Sequence, residues 1–109
     1  MPIIDFHNHV YPTAYIEAVE AGPSAYTITY DADNNPVFHS PGDYNVLVPG
    51  HRKMDFRKEV LDQAGVDMQV ISFTAPGTLI ESPERSVEMC KIVNNSYAQI
   101  QTDYPDRFA

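Results

Sequence analysis

Two short apolar runs, Ile3–Phe6 and Met68–Phe73, constrain this chain more than anything else in it. Both are too short to make a helix, and their Ile, Val and Phe content reads as buried strand. An amphipathic segment precedes the second run. From Met54 onward, Phe56, Val60, Leu61 and Ala64 recur at helical spacing, and Gly65 stands where a left-handed C-cap is expected. Strand, helix, glycine and strand in that order describe a βαβ crossover, which specifies a parallel sheet.

The remaining segments fall around this frame. Pro12 ends the first strand, and Thr13 is placed to cap a helix through Ala21, with Tyr15, Ile16 and Val19 on one side and Gly22-Pro23 as the stop. Residues 25–48 change character: Tyr26–Tyr30, Val37–His39 and Tyr44–Val48 are strand-like runs separated by turn residues, so an inserted antiparallel β-hairpin region is expected there. Pro49-Gly50 closes it. Ser82 can cap a last helix with Pro83 at its first position, along which Met89, Val93, Tyr97, Ile100 and Tyr104 form a stripe. Pro105 ends that helix, and Arg107-Phe108-Ala109 reads as the start of another strand. A parallel sheet of two strands leaves both edges open, so the chain reads as the opening of something larger, and homo-oligomerisation is expected.

Charge and composition exclude several classes. A formal charge of −8, with seven scattered Lys and Arg, argues against a nucleic-acid surface. No stretch reaches the length of a membrane span, and the N-terminus lacks the basic-then-apolar order of a signal peptide. Cys90 is the single cysteine, which rules out an intrachain disulfide and fits a reducing, cytoplasmic setting; its place beside Met89 predicts a packed, inert thiol.

The chemistry concentrates at the end of the first run. His7 and His9 are two apart, so in an extended chain they share a face, and two neighbouring imidazoles can both reach a metal at about 2.0–2.1 Å. Asp5 falls one step deeper on that face, where it can orient a ligand or hydrogen-bond within the core. His39 and His51 read as surface or turn histidines. Arg52 and Arg57 can grip a carboxylate bidentately, or can simply be solvated helix cations.

Ile4-Asp5-Phe6-His7-Asn8-His9 followed by Val10-Tyr11-Pro12 resembles the start of the amidohydrolase superfamily, and is most similar to the aminocarboxymuconate-semialdehyde decarboxylase-like branch. Leu61–Ser72 resembles that branch's entry into its second barrel strand. Val93-Asn94-Asn95 with Tyr104–Ala109 resembles its second helix and the approach to strand three. The resemblance implies the start of a (β/α)8 TIM-type barrel, about two of its eight βα units, with a small antiparallel insertion after strand 1. It implies that His7 and His9 are the first two ligands of a divalent metal, Zn2+ being the first choice, that the insertion approaches the mouth of the site, where His51 just after it can contact a substrate, and that the catalytic groups come from beyond residue 109. The implied parent activity is that of a metal-dependent carboxy-lyase acting non-oxidatively on an unsaturated or aromatic carboxylic acid, with no activity expected from these residues alone. A metal-dependent hydrolase of a lactone or amide would use the same two ligands. A non-catalytic fragment that self-associates through its open sheet edges is the third reading.

Overall fold

The two apolar runs pair as parallel strands in the computed structural model, which describes all of residues 1–109. In chain order the elements are β1 (Ile4–Asp5), α1 (Thr13–Ala21), β2 (Thr27–Tyr30), β3 (Pro36–Ser40), β4 (Asp43–Val46), α2 (Pro49–Arg52), α3 (Met54–Ala64), β5 (Met68–Gln69) and α4 (Pro83–Asp103). The architecture is mixed α/β, with one parallel and one antiparallel sheet.

In the parallel sheet Ile4 lies opposite Met68 and Asp5 opposite Gln69, while farther along His9 lies opposite Ser72. Four residue steps on the first segment thus oppose three on the second. The extra residue is absorbed between Phe6 and Asn8, as in a β-bulge, so strict two-residue alternation does not run through this stretch. The far edge of β5 is occupied as well. Gln69 N–H donates to Arg107 O at 2.9 Å, Ala109 N–H to Gln69 O at 2.9 Å, and Ile71 N–H to Ala109 O at 2.8 Å. The last residues therefore already run as a third parallel segment. The outer edge of β1 has no strand beside it, and Ile3, Ile4 and Phe6 are exposed there.

The antiparallel sheet has the order β2-β3-β4, and its central strand carries three consecutive buried residues, Pro36, Val37 and Phe38. Phe38 joins this sheet to the helices. Its ring centre lies 4.7 Å from that of Tyr26, 5.7 Å from Tyr11 and 6.0 Å from Tyr15. Ile16 and Val19 of α1, Leu47, and Met89 and Val93 of α4 complete this core. A smaller core under the parallel strands contains Val10, Leu61, Ile71 and Phe108.

Local signals explain most element ends. The Ser82 hydroxyl accepts from Arg85 N–H at 3.2 Å and caps α4, and Gly65 ends α3 with φ +70°, which only a residue tolerant of the left-handed region adopts cheaply. Four expectations need correcting. Thr13 is the first helical residue and not a cap; Pro12 holds the cap position, with no side-chain hydrogen bond to offer. Pro49-Gly50 opens the one-turn helix α2, because proline's fixed φ suits a first helical turn as well as a strand stop. Of the α3 stripe only Leu61 is buried, and Phe56 and Val60 face outward. Cys90 is exposed, since one residue step around a helix turns it about 100° away from buried Met89. No helix is long and apolar enough to cross a membrane.

Phe38→Ala should lower the stability of the chain by about 3–5 kcal/mol, the usual cost of emptying a buried aromatic site. The midpoint of urea unfolding measures this. A loss below about 1 kcal/mol would mean that the antiparallel sheet does not share its core with α1 and α4.

Candidate metal site

The segment carrying His7 and His9 leaves β1 and is held by side chains instead of a regular ladder. Asp5 Oδ1 accepts from His7 N–H at 2.9 Å, and its Oδ2 accepts from Gln69 Nε2 at 2.7 Å. Asn8 is buried and points into the protein. Its Nδ2 donates to Val70 O at 3.0 Å and to Asp5 O at 3.3 Å, which fixes the amide so that Oδ1 is left to accept. Tyr97 of α4 donates its hydroxyl to Val10 O at 2.7 Å and pins the end of the segment.

Arg57 of α3 closes the arrangement. Its Nε donates to Gln69 Oε1 at 2.7 Å, one Nη to His9 O at 3.0 Å and Gly50 O at 2.7 Å, and the other to Asn8 Oδ1 at 3.1 Å. Four of the five N–H donors of a guanidinium are spent within the chain. Burial pushes the Arg57 pKa down and the Asp5 charge pushes it back up. Asp5 is held below the usual carboxylate range, first by the His7 N–H, then by the Gln69 amide, with the Arg57 charge adding to both.

With the backbone so tied, the rings of His7 and His9 stand together, their centres 5.5 Å apart and their planes 79° apart. An imidazole bonded to zinc at 2.0–2.1 Å has its centre about 3.2 Å from the ion, so two such rings at a tetrahedral angle lie roughly 5 Å apart. The spacing and the donor chemistry fit two ligands of one divalent ion. They do not complete a site: no group of three or more His, Cys, Asp or Glu side chains comes together anywhere in the chain, and an ordinary catalytic zinc takes three protein ligands. Asp5 is turned to its own partners, His7 N–H and Gln69, and does not join the rings as a ligand.

His9 also borders a cleft of about 370 Å3 with Tyr11, Asp43, Asn45, His51 and Thr74. The antiparallel sheet thus supplies one wall and the strand ends the other. His51 is exposed at this cleft. Arg52 is not free to meet a ligand with its whole fork, since Nε donates to Leu47 O at 2.9 Å and one Nη to Asn35 Oδ1 at 3.2 Å. His39 is remote, bonded to Thr29 Oγ1 at 2.7 Å across β2 and β3. Asn8, Asp43 and Asn45 carried no signal in the sequence, and Gln69 carried little. A polar residue inside the apolar run Met68–Phe73 was the one clue to Gln69.

Two consequences can be measured. Because the folded Asp5 carboxyl has a lowered pKa, its contribution to stability is complete above the unfolded value of about 3.9 and is lost as pH falls through the lower folded value. Asp5→Asn should therefore flatten the fall in stability between about pH 5 and pH 2, and parallel curves for the two proteins would refute the linkage. Arg57→Lys keeps the charge but not the fork, and should cost at least about 2 kcal/mol in urea unfolding, since several charge-assisted hydrogen bonds go at once.

No protein-family model matches the sequence, and no curated protein matches it. Among solved structures the chain is similar to the apo form of Metarhizium anisopliae IDCase, with a TM-score of 0.79 and 17% sequence identity over 98% of this chain and 33% of that one. At that identity the likeness is one of fold: this chain has the shape of part of a TIM-barrel enzyme and spans about a third of its length.

Proposed function

We propose that this chain forms the N-terminal part of a metal-dependent carboxy-lyase barrel, acting without an oxidant on an unsaturated or aromatic carboxylic acid. The observation that carries the reading is the pair of facing imidazoles at the end of a parallel strand and beside a cleft. The fold likeness supports it, since IDCase is an isoorotate decarboxylase of the amidohydrolase superfamily. In this reading His7 and His9 hold a divalent metal, Zn2+ by preference for imidazole, with further ligands supplied by chain outside these residues. When bound, such an ion supplies Lewis-acid polarisation of a substrate oxygen.

The chain's own groups have separate tasks. Arg57, Asn8 and Asp5 keep the His7–His9 backbone fixed, so that little reorganisation is needed when an ion is bound. The cleft walls from β4 and the strand ends bound the space beside the metal. His51, exposed at the cleft, is the group placed to meet a substrate carboxylate, because Arg57 spends four of its five donors internally and Arg52 does not line the cleft. The same two ligands serve a hydrolase of a lactone or amide, and no feature of this chain favours that chemistry over decarboxylation.

Equilibrium dialysis against Zn2+ tests the ligand assignment. The 109-residue chain should bind zinc weakly, and His7→Ala or His9→Ala should remove that binding. Zinc uptake that survives both substitutions would sink the assignment. The chain alone should release no carbon dioxide from aromatic or unsaturated acids; turnover by these residues would mean that the missing groups are not needed.

A second reading has its own support for the chain by itself: the unpaired outer edge of β1 with Ile3, Ile4 and Phe6 exposed, Phe6 at 72%. Such an edge can pair with a second copy. Light scattering should then show association that grows with concentration, and a monomer at every concentration would remove this reading.

A further inference from the structure

The geometry points to Ser72 as a positioning residue that fixes the tautomer of His9 and leaves Nε2 as the nitrogen with the free lone pair. Ser72 lies opposite His9 in the parallel register, and its Oγ has two close partners: Asn8 O at 3.0 Å and His9 Nδ1 at 3.2 Å. A carbonyl oxygen can only accept, and a serine hydroxyl has a single proton. That proton goes to Asn8 O. Toward the imidazole, then, the hydroxyl oxygen can act only as acceptor, and the hydrogen between them belongs to Nδ1 of His9. In the neutral ring Nε2 is left unprotonated.

The extra residue absorbed between Phe6 and Asn8 is what makes this contact available. Carried on from Asp5 opposite Gln69, an unbroken register would set Phe73 opposite His9. A phenyl ring accepts no such hydrogen bond. The one-residue slip brings a hydroxyl to the position instead, and the same slip lets Val10 N–H reach Ser72 O at 3.2 Å. The use of the tautomer rests on the metal reading above: a ligating histidine commonly donates its second ring N–H to an oxygen, which orients the ring and raises the basicity of the ligating nitrogen. The tautomer itself follows from the hydrogen bonds alone.

The test is long-range proton–nitrogen correlation NMR on the metal-free chain with 15N-labelled imidazoles, recorded with the rings neutral. His9 should carry its proton on Nδ1. His7, exposed, serves as the internal reference for a ring governed by solvent, which favours the Nε2–H form. Ser72→Ala should move His9 toward that reference, and Ser72→Thr, which keeps the hydroxyl, should restore the Nδ1–H form. Ser72 is exposed, so the alanine variant removes a hydrogen bond and not a piece of core. Finding His9 as Nε2–H in the unmodified chain, or unchanged in Ser72→Ala, overturns the proposal. Co2+ titration followed by its visible absorption supplies the second readout, where Ser72→Ala should weaken binding by about 10–100-fold. A tautomer that moves while Co2+ affinity does not would uphold the Ser72 contact and overturn the metal reading on which its purpose rests.

Discussion

One guanidinium holds the segment that carries His7 and His9 in place. Arg57 reaches from α3 to the His9 carbonyl, the Asn8 amide, the Gly50 carbonyl and the Gln69 amide, so a single side chain ties α3, α2, β5 and the segment beyond β1. All four acceptors are neutral. Partly burying a cation among dipoles alone is costly, and the balancing carboxylate, Asp5, sits one link away behind Gln69. The glutamine acts as a relay, accepting from the cation and donating to the anion. A planar five-donor fork suits that geometry, whereas an ammonium would satisfy fewer of these partners.

Around that hub the molecule has two cores with α4 common to both. Met89 and Val93 pack with α1 and the antiparallel sheet, whereas Ile100 and Tyr104 pack with the core beneath the parallel strands, and Tyr97 touches both. This explains how a β insertion and a parallel sheet behave as one body without a shared ladder. It also sets the cleft beside His9, which opens where the wall from β4 faces the strand ends. Along the exposed β1 edge Ile3, Ile4 and Phe6 stay uncovered, as do the outward Phe56 and Val60 of α3.

Helix positions were legible in the sequence because they depend on local chemistry. Ser82 before Pro83, the glycine at 65 and the Met89–Tyr104 stripe each act within a few residues, and the structure has α4 and the end of α3 where they indicate. The pairing of the two apolar runs was legible too, since a helix between them leaves few other solutions. The shared face of His7 and His9 was read from their spacing, and their rings do stand side by side. For Asp5, orienting a ligand and hydrogen-bonding within the core were both open. It sits on the far side of the absorbed residue, and its carboxylate is taken up by Gln69 and the His7 N–H.

By itself, then, the sequence determined the three longer helices, α1, α3 and α4, that two of its apolar runs pair in parallel, and that two imidazoles leave the first of them together. Those are consequences of capping, periodicity and side-chain spacing, all short-range. Only the tertiary structure decided the register slip that sets Ser72 opposite His9, the burial of Arg57 among four acceptors, and the reach of Asp43 and Asn45 to the cleft. Each joins residues far apart in the chain, whose meeting depends on how two sheets and two cores pack, and no local pattern of residues carries that information.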